Sequence, residues 1–220
     1  MNQFIDTHAH LYSRKFQSDR DDMIQRAIAA GVTRLYLPNI DSESIDSMLD
    51  LENSFPDNCF AMMGLHPTSV QADTYEEELK LVEKYLGERK WAGVGETGID
   101  LYWDKSTLDI QQKSFARQIE WAKDLDRPVI IHARMANTEC LELVRKAQDA
   151  AACAAFFIVS SGTEDEAREM IDLNFMLGIE GPLPTQNRNC PKCLARFPGA
   201  YRARDRLTFT CLRYLSEESK

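Results

Sequence analysis

The chain has 220 residues, 44% of them hydrophobic, and a formal net charge of −9 at neutral pH. That is enough apolar material for one substantial core, and the acidic balance argues against a protein that coats duplex DNA through many lysine and arginine contacts to phosphate. No run of about 18 apolar residues occurs and the six cysteines are irregularly spaced behind a polar start, so the reading is one domain over residues 1–220, soluble and cytoplasmic, with reduced thiols, no membrane contact and no evident protein partner.

Short apolar, β-branched stretches alternate with longer stretches of helical period, which predicts βα units around a parallel sheet. Strands are expected at Gln3–Thr7, Arg34–Leu37, Cys59–Gly64, Ala92–Gly95 and Pro128–His132. Between the first two, "SDRDDMIQRAIAAG" reads as a helix capped by Ser18, with acids in its first turn and Gly31 as its stop. "YEEELKLVEKYLGERK" sets Leu79, Val82 and Leu86 on one stripe, and "QQKSFARQIEWAKDLDRP" does the same with Phe115, Ile119 and Ala122 before Pro128. Further helices are expected over Asn137–Gln148 and Glu164–Leu173. Five βα units by residue 150 suit an α/β chain of the TIM-like (β/α)8 barrel type, with a doubly wound sheet as the alternative. Residues 181–220 lack the earlier periodicity, so the barrel is expected to be incomplete or irregular after about residue 180.

The chemistry-bearing residues stand at strand ends. In an extended "FIDTHAHL", His8 and His10 share a face with Asp6, a geometry that suits a metal. "MMGLHP" puts His66 just past the third strand, "GVGETGID" puts Glu96 among small neighbours just past the fourth, and "PVIIHAR" ends the fifth with His132 and Arg134. Each has an ordinary explanation when taken singly: a polar strand end, a loop acid, a core histidine, an arginine in a surface ion pair. All four histidines of the chain lie at such ends, which chance placement would not favour. Together His8, His10, Glu96 and His132 can hold one or two divalent cations with a position left for water. Arg134 can clamp a phosphate in bidentate fashion, and His66 can orient a substrate or leaving group. Imidazole with carboxylate suits magnesium, manganese or zinc.

"FIDTHAHL", "GLHP", "GETGID", the spaced Gln111, Phe115 and Gln118, and "PVIIHAR" resemble, in that order, the TatD family of metal-dependent deoxyribonucleases, a branch of the amidohydrolase-like barrels. The resemblance runs from Phe4 to about Arg145. It implies that His8, His10, Glu96 and His132 match family metal positions for two divalent ions. Beside them, Asp6 and Asp100 are expected as supporting residues, and Glu96, His66 and Arg134 as catalytic ones. It further implies hydrolysis of DNA phosphodiesters by metal-activated water, from single strands or 3′ ends.

Two family segments are missing. An "FHCFSG"-like histidine segment would follow the sixth strand, where this chain reads "AAFFIVSSGTEDEA", and an "ETDSP"-like aspartate segment would follow the eighth. Reading the codons of Pro198 to Cys211 from their second base permits L-E-R-I-V-L-E-T-D-S-P. Reading from the third base between Cys153 and Val159 permits R-G-V-F-H-C-F, which rejoins the present frame at Ser161 and Gly162. The histidine would come from the Phe157 and Ile158 codons and the aspartate from those of Arg206 and Leu207. Small insertions or deletions near residues 150, 160 and 180 to 198 are therefore expected, with a frameshifted tail and impaired activity. "CPKC", Cys190 to Cys193, then needs no zinc or redox role, although a degenerate metal-binding protein organised by that pair is an alternative. A hydrolase of small esters or amides is another, weakened because Glu96 stands where a carbamylated lysine would be wanted.

Overall fold

The computed structural model describes residues 4–148, 155–159, 163–173, 175–179 and 207–209. Among these, the strands are β1 (Phe4–Asp6), β2 (Val32–Pro38), β3 (Cys59–Met62), β4 (Val94–Asp100), β5 (Val129–Arg134), β6 (Ala155–Val159), β7 (Met176–Ile179) and β8 (Leu207–Phe209). The helices are α1 (Arg20–Ala29), α2 (Ile45–Ser54), α3 (Tyr75–Glu88), α4 (Leu108–Asp124), α5 (Asn137–Gln148) and α6 (Glu164–Asp172), one after each of the first six strands.

All strand pairings are parallel and follow chain order, β1 to β3 in one ladder and β4 to β8 in a second. A parallel bridge between Met63 and Val94 joins the ladders, and β8 comes back beside β1. This is a TIM-like (β/α)8 barrel, the fold class expected from the alternation of elements. The main core cluster runs from Leu35 and Leu37 on β2 through Ile131 and Ala133 on β5 to Phe115 and Ile119 on α4, and Met62 and Ile130 form a small second one. The expected irregularity after residue 180 and the Cys190–Cys193 pair lie outside the described residues, apart from β8, which pairs with β7.

Several local expectations are corrected. The first helix begins at Arg20 with Asp19 as its N-cap and no side-chain capping bond, so Ser18 does not cap it. The α2 helix, whose Ile45, Met48 and Leu51 are buried, had no distinct sequence signal because its apolar stripe is narrow and interrupted by serines and acids. β1 ends at Asp6, so His8 and His10 lie beyond the strand rather than in it. β4 runs on to Asp100 with all seven residues buried, which puts Glu96 inside the strand rather than past it.

The glycines around Glu96 explain that last error. They look like a loop in sequence, yet a Cβ on Gly98 would lie 2.1 Å from the His132 carbonyl oxygen, and one on Gly64 would lie 2.6 Å from the Gly95 Cα. Gly98 also has φ +132°, a conformation that side chains rarely adopt. The absent side chains let β4 press against β5 and the β3 end, which carries Glu96 into the barrel mouth.

Candidate metal centre

Glu96 is 2% exposed and sits at the centre of the four histidines. Its Oε2 lies 3.0 Å from His8 Nε2 and 3.0 Å from His10 Nε2. Its Oε1 lies 3.1 Å from His132 Nδ1 and 3.7 Å from His66 Nε2. One carboxylate oxygen thus faces each imidazole pair. Burial alone would raise the Glu96 pKa, but the surrounding imidazoles hold it well below the usual carboxylate range.

The hydrogen bonds behind the rings say which nitrogens carry protons. The Tyr12 hydroxyl donates to the Pro38 carbonyl at 2.5 Å, so its oxygen accepts from His10 Nδ1–H at 2.7 Å. Neutral His10 then turns a lone pair on Nε2 toward Glu96 Oε2, acceptor against acceptor at 3.0 Å. A His8 Nε2–H, 3.0 Å from both atoms, or a cation between them relieves that contact. On the other side, His132 Nε2–H donates to Asp100 Oδ2 at 2.9 Å, which leaves Nδ1 for Glu96. Burial would lower the His132 pKa, but the carboxylates of Asp100 and Glu96 push it up to about 9, so a proton stands where a cation is suited.

Two ligand groups follow: His8, His10 and Glu96 in one, and His66, Glu96 and His132 in the other, each with its ligand atoms within 4.8 Å of one another. Ligands about 2.0–2.2 Å from a tetrahedral ion stand roughly 3.3 Å apart. The spacings around Glu96 are near that value, so the donor set fits a divalent cation.

His66 differs from its neighbours. The backbone N–H of Thr68 donates to His66 Nδ1 at 3.1 Å, so in neutral His66 the proton is on Nε2, the nitrogen that faces the centre. Burial lowers its pKa to about 3, the Glu96 charge opposing only in part. Neutral His66 therefore presents a donor toward the centre, where neutral His10 and neutral His132 would present acceptors.

The remaining expected residues are nearby in different ways. Asp6 Oδ1 accepts the backbone N–H of His8 at 3.0 Å, so Asp6 holds the main chain rather than a ring, and burial raises its pKa to about 6. Asp100 touches His132 directly. Arg134 has no ion pair among the described residues; its guanidinium lies 3.8 Å from the centre of the Tyr102 ring.

Sequence reasoning missed the parts that hold this geometry. Tyr12 was not singled out, although its position two residues past His10 is a signal that could have found it. Gln111 and Gln118 were noted as a pattern without a role. Gln118 Oε1 accepts from Leu65 N–H at 2.8 Å while its Nε2 donates to Leu65 O at 3.1 Å, clamping the backbone before His66. Gln111 does the same for Asp100, at 2.8 and 3.2 Å. The two glutamines are seven apart on α4, hence on one face.

The profile of the TatD related DNase family matches residues 5–201. This chain belongs to the TatD family. The match reaches well beyond Arg145, past the stretch whose motifs carry the sequence resemblance. The chain is 34% identical over 188 residues to the uncharacterized metal-dependent hydrolase YabD of Bacillus subtilis strain 168, which covers 86% of this chain and 72% of that protein. It is 31% identical over 178 residues to the 3′-5′ ssDNA/RNA exonuclease TatD of Musicola paradisiaca, covering 80% of this chain and 66% of that one. The crystal structure of YjjV, a TatD homologue from Escherichia coli K12, superimposes with a TM-score of 0.80 at 27% identity, over 94% of this chain and 78% of that one. As a TatD family member the chain is a metal-dependent hydrolase, with histidine and glutamate groups able to hold the metal. No helix among the described residues is long and apolar enough to cross a membrane.

Proposed function

We propose that this TatD family hydrolase cleaves phosphodiester bonds in single-stranded DNA from the 3′ end, with two divalent cations, magnesium, manganese or zinc, that His8, His10, Glu96 and His132 would hold. The observation that carries this reading is the split of the Glu96 carboxylate, one oxygen toward His8 and His10 and the other toward His132. The name of the Musicola relative, a 3′-5′ ssDNA/RNA exonuclease, supports the substrate class. Bound cations would polarise a phosphoryl oxygen and lower the pKa of water at the site.

The chain's own side chains do the rest. Tyr12 and Asp100 hold the rings of His10 and His132 so that an unprotonated nitrogen faces Glu96 once a cation replaces the proton. His66, fixed by the Thr68 amide as an Nε2–H donor, serves a phosphoryl or leaving-group oxygen rather than a cation. Asp6 secures the main chain at His8. Arg134 provides a fixed positive charge at the end of β5 for a phosphate.

Activity of this 220-residue chain is expected to be weak, because the sequence lacks the family's sixth-strand histidine and eighth-strand aspartate. Ile158 pairs with His132 across β5 and β6, so the codon junction that encodes histidine in the alternate frame falls beside the candidate ligand. The test is to incubate the purified chain and a frame-restored version with each metal and single-stranded oligonucleotides labelled at either end, alongside a panel of small esters and amides. Metal-dependent loss of the 3′ label, faster in the restored version, is expected. Turnover confined to the small substrates would overturn the nuclease reading, and robust nuclease activity in the 220-residue chain would overturn the impairment.

A further inference from the structure

Large hydrophobic side chains are exposed at seven places among the described residues, and three of them, Tyr102, Trp103 and Met135, stand just past the C-terminal ends of β4 and β5. Trp103 is 71% exposed and Tyr102 51%. A soluble protein that leaves its largest apolar side chains in water beside its own site commonly has something to put on them.

The group is built rather than loose. Asp100, whose Oδ2 accepts from His132, accepts the backbone N–H of Tyr102 on its other oxygen at 2.9 Å. Leu101 N–H donates to the Arg134 carbonyl at 3.0 Å, tying the loop to β5. Asp104 Oδ1 accepts from both the amide and the hydroxyl of Ser106, at 2.8 and 2.7 Å, which turns the loop back toward α4. The Tyr102 and Trp103 rings meet edge to face, 4.8 Å apart at 89°. The Arg134 guanidinium lies 3.8 Å from the Tyr102 ring centre and 5.5 Å from that of Trp103. Arg134 is two residues beyond His132 on β5, so the cluster begins about 7 Å along the strand from the candidate metal centre.

We infer that Tyr102, Trp103 and Arg134 form a stacking platform for an unpaired nucleobase next to the bond that is cut. Aromatic faces and an arginine plane are the chemistry that single-stranded nucleic acid uses, because every base has a π-face whatever its sequence. A small ester has no such plane to offer. The inference rests on the nucleic-acid reading above, and it predicts tolerance of base identity, since none of the three contacts reads a base edge.

The test uses the full 220-residue chain with manganese and a fluorescent single-stranded oligonucleotide of phosphorothioate backbone, compared with an abasic oligonucleotide of the same length. Trp103→Ala is expected to weaken binding of the base-bearing strand by about 5- to 100-fold and to leave abasic binding unchanged. Trp103→Phe should retain most of the affinity while removing the quenching of tryptophan fluorescence by the oligonucleotide, because Trp91 and Trp121 are buried. Thermal melts of the variants should match the parent, since Trp103 is mostly in water. Equal binding of both strands by the parent and Trp103→Ala would overturn the platform and leave the nuclease reading standing. Failure of the parent to bind either strand would overturn both.

Discussion

His10 Nδ1 lies 2.7 Å from the hydroxyl of Tyr12, which is itself committed to the Pro38 carbonyl. The relay decides which His10 nitrogen can face a cation. Tyr12→Phe removes it while keeping the buried ring, so divalent metal affinity measured by titration calorimetry should fall about 10- to 100-fold with the fold intact by circular dichroism. Unchanged affinity would show that the hydroxyl serves only Pro38.

His66 and Glu96 are both near the centre, but their proton positions assign them opposite parts. Glu96→Gln is expected to abolish metal retention through gel filtration, and His8→Ala to reduce it, whereas His66→Ala should retain metal as the parent does. Elemental analysis of each protein reads the result directly. Loss of metal from His66→Ala would make His66 a ligand and contradict the donor assigned to it by the Thr68 amide.

Because the unfolded chain cannot gather these ligands, metal should stabilise the native state. At a free concentration of about 100 times Kd the gain is about 2.7 kcal/mol, visible as a rise in Tm that chelation reverses. Glu96→Gln should melt at one temperature with or without metal. A metal-induced shift that persists in Glu96→Gln would place the binding elsewhere in the chain.

Gln118 supplies both partners of the buried Leu65 peptide. Gln118→Leu leaves a buried N–H and C=O without them, at about 1–3 kcal/mol each. Urea unfolding should therefore show a loss of about 2–6 kcal/mol. A change under 0.5 kcal/mol would mean that water replaces the glutamine.

Resequencing the coding DNA on independent template is expected to reveal small insertions or deletions near codons 150, 160 and 180 to 198. An uninterrupted frame encoding the present residues would defeat that proposal, and the missing histidine and aspartate would then be true divergences.

Much was settled by residue order alone. The alternation of β-branched runs with helical stripes determined parallel βα units, because strand and helix periods are local properties of the chain; candidate ligands at successive strand ends favoured a barrel over a doubly wound sheet, and α5 falls on the Asn137–Gln148 stretch that its pattern marked. The histidines of "THAH", "GLHP" and "IIHAR" and the glutamate of "GETG" were legible as candidate ligands because those side-chain types seldom gather at strand ends without a purpose. What packing alone decided was how they meet. The glycines beside Glu96 read as a loop, yet they exist so that β4 can touch its neighbours across the barrel, a contact between residues more than thirty positions apart that no local pattern reports. Proton placement was likewise hidden: Tyr12, Thr68 and Asp100 choose the tautomers of His10, His66 and His132 through bonds that exist only after the strand ends converge. A sequence states which groups are available, and close approach in three dimensions determines which of their atoms face one another.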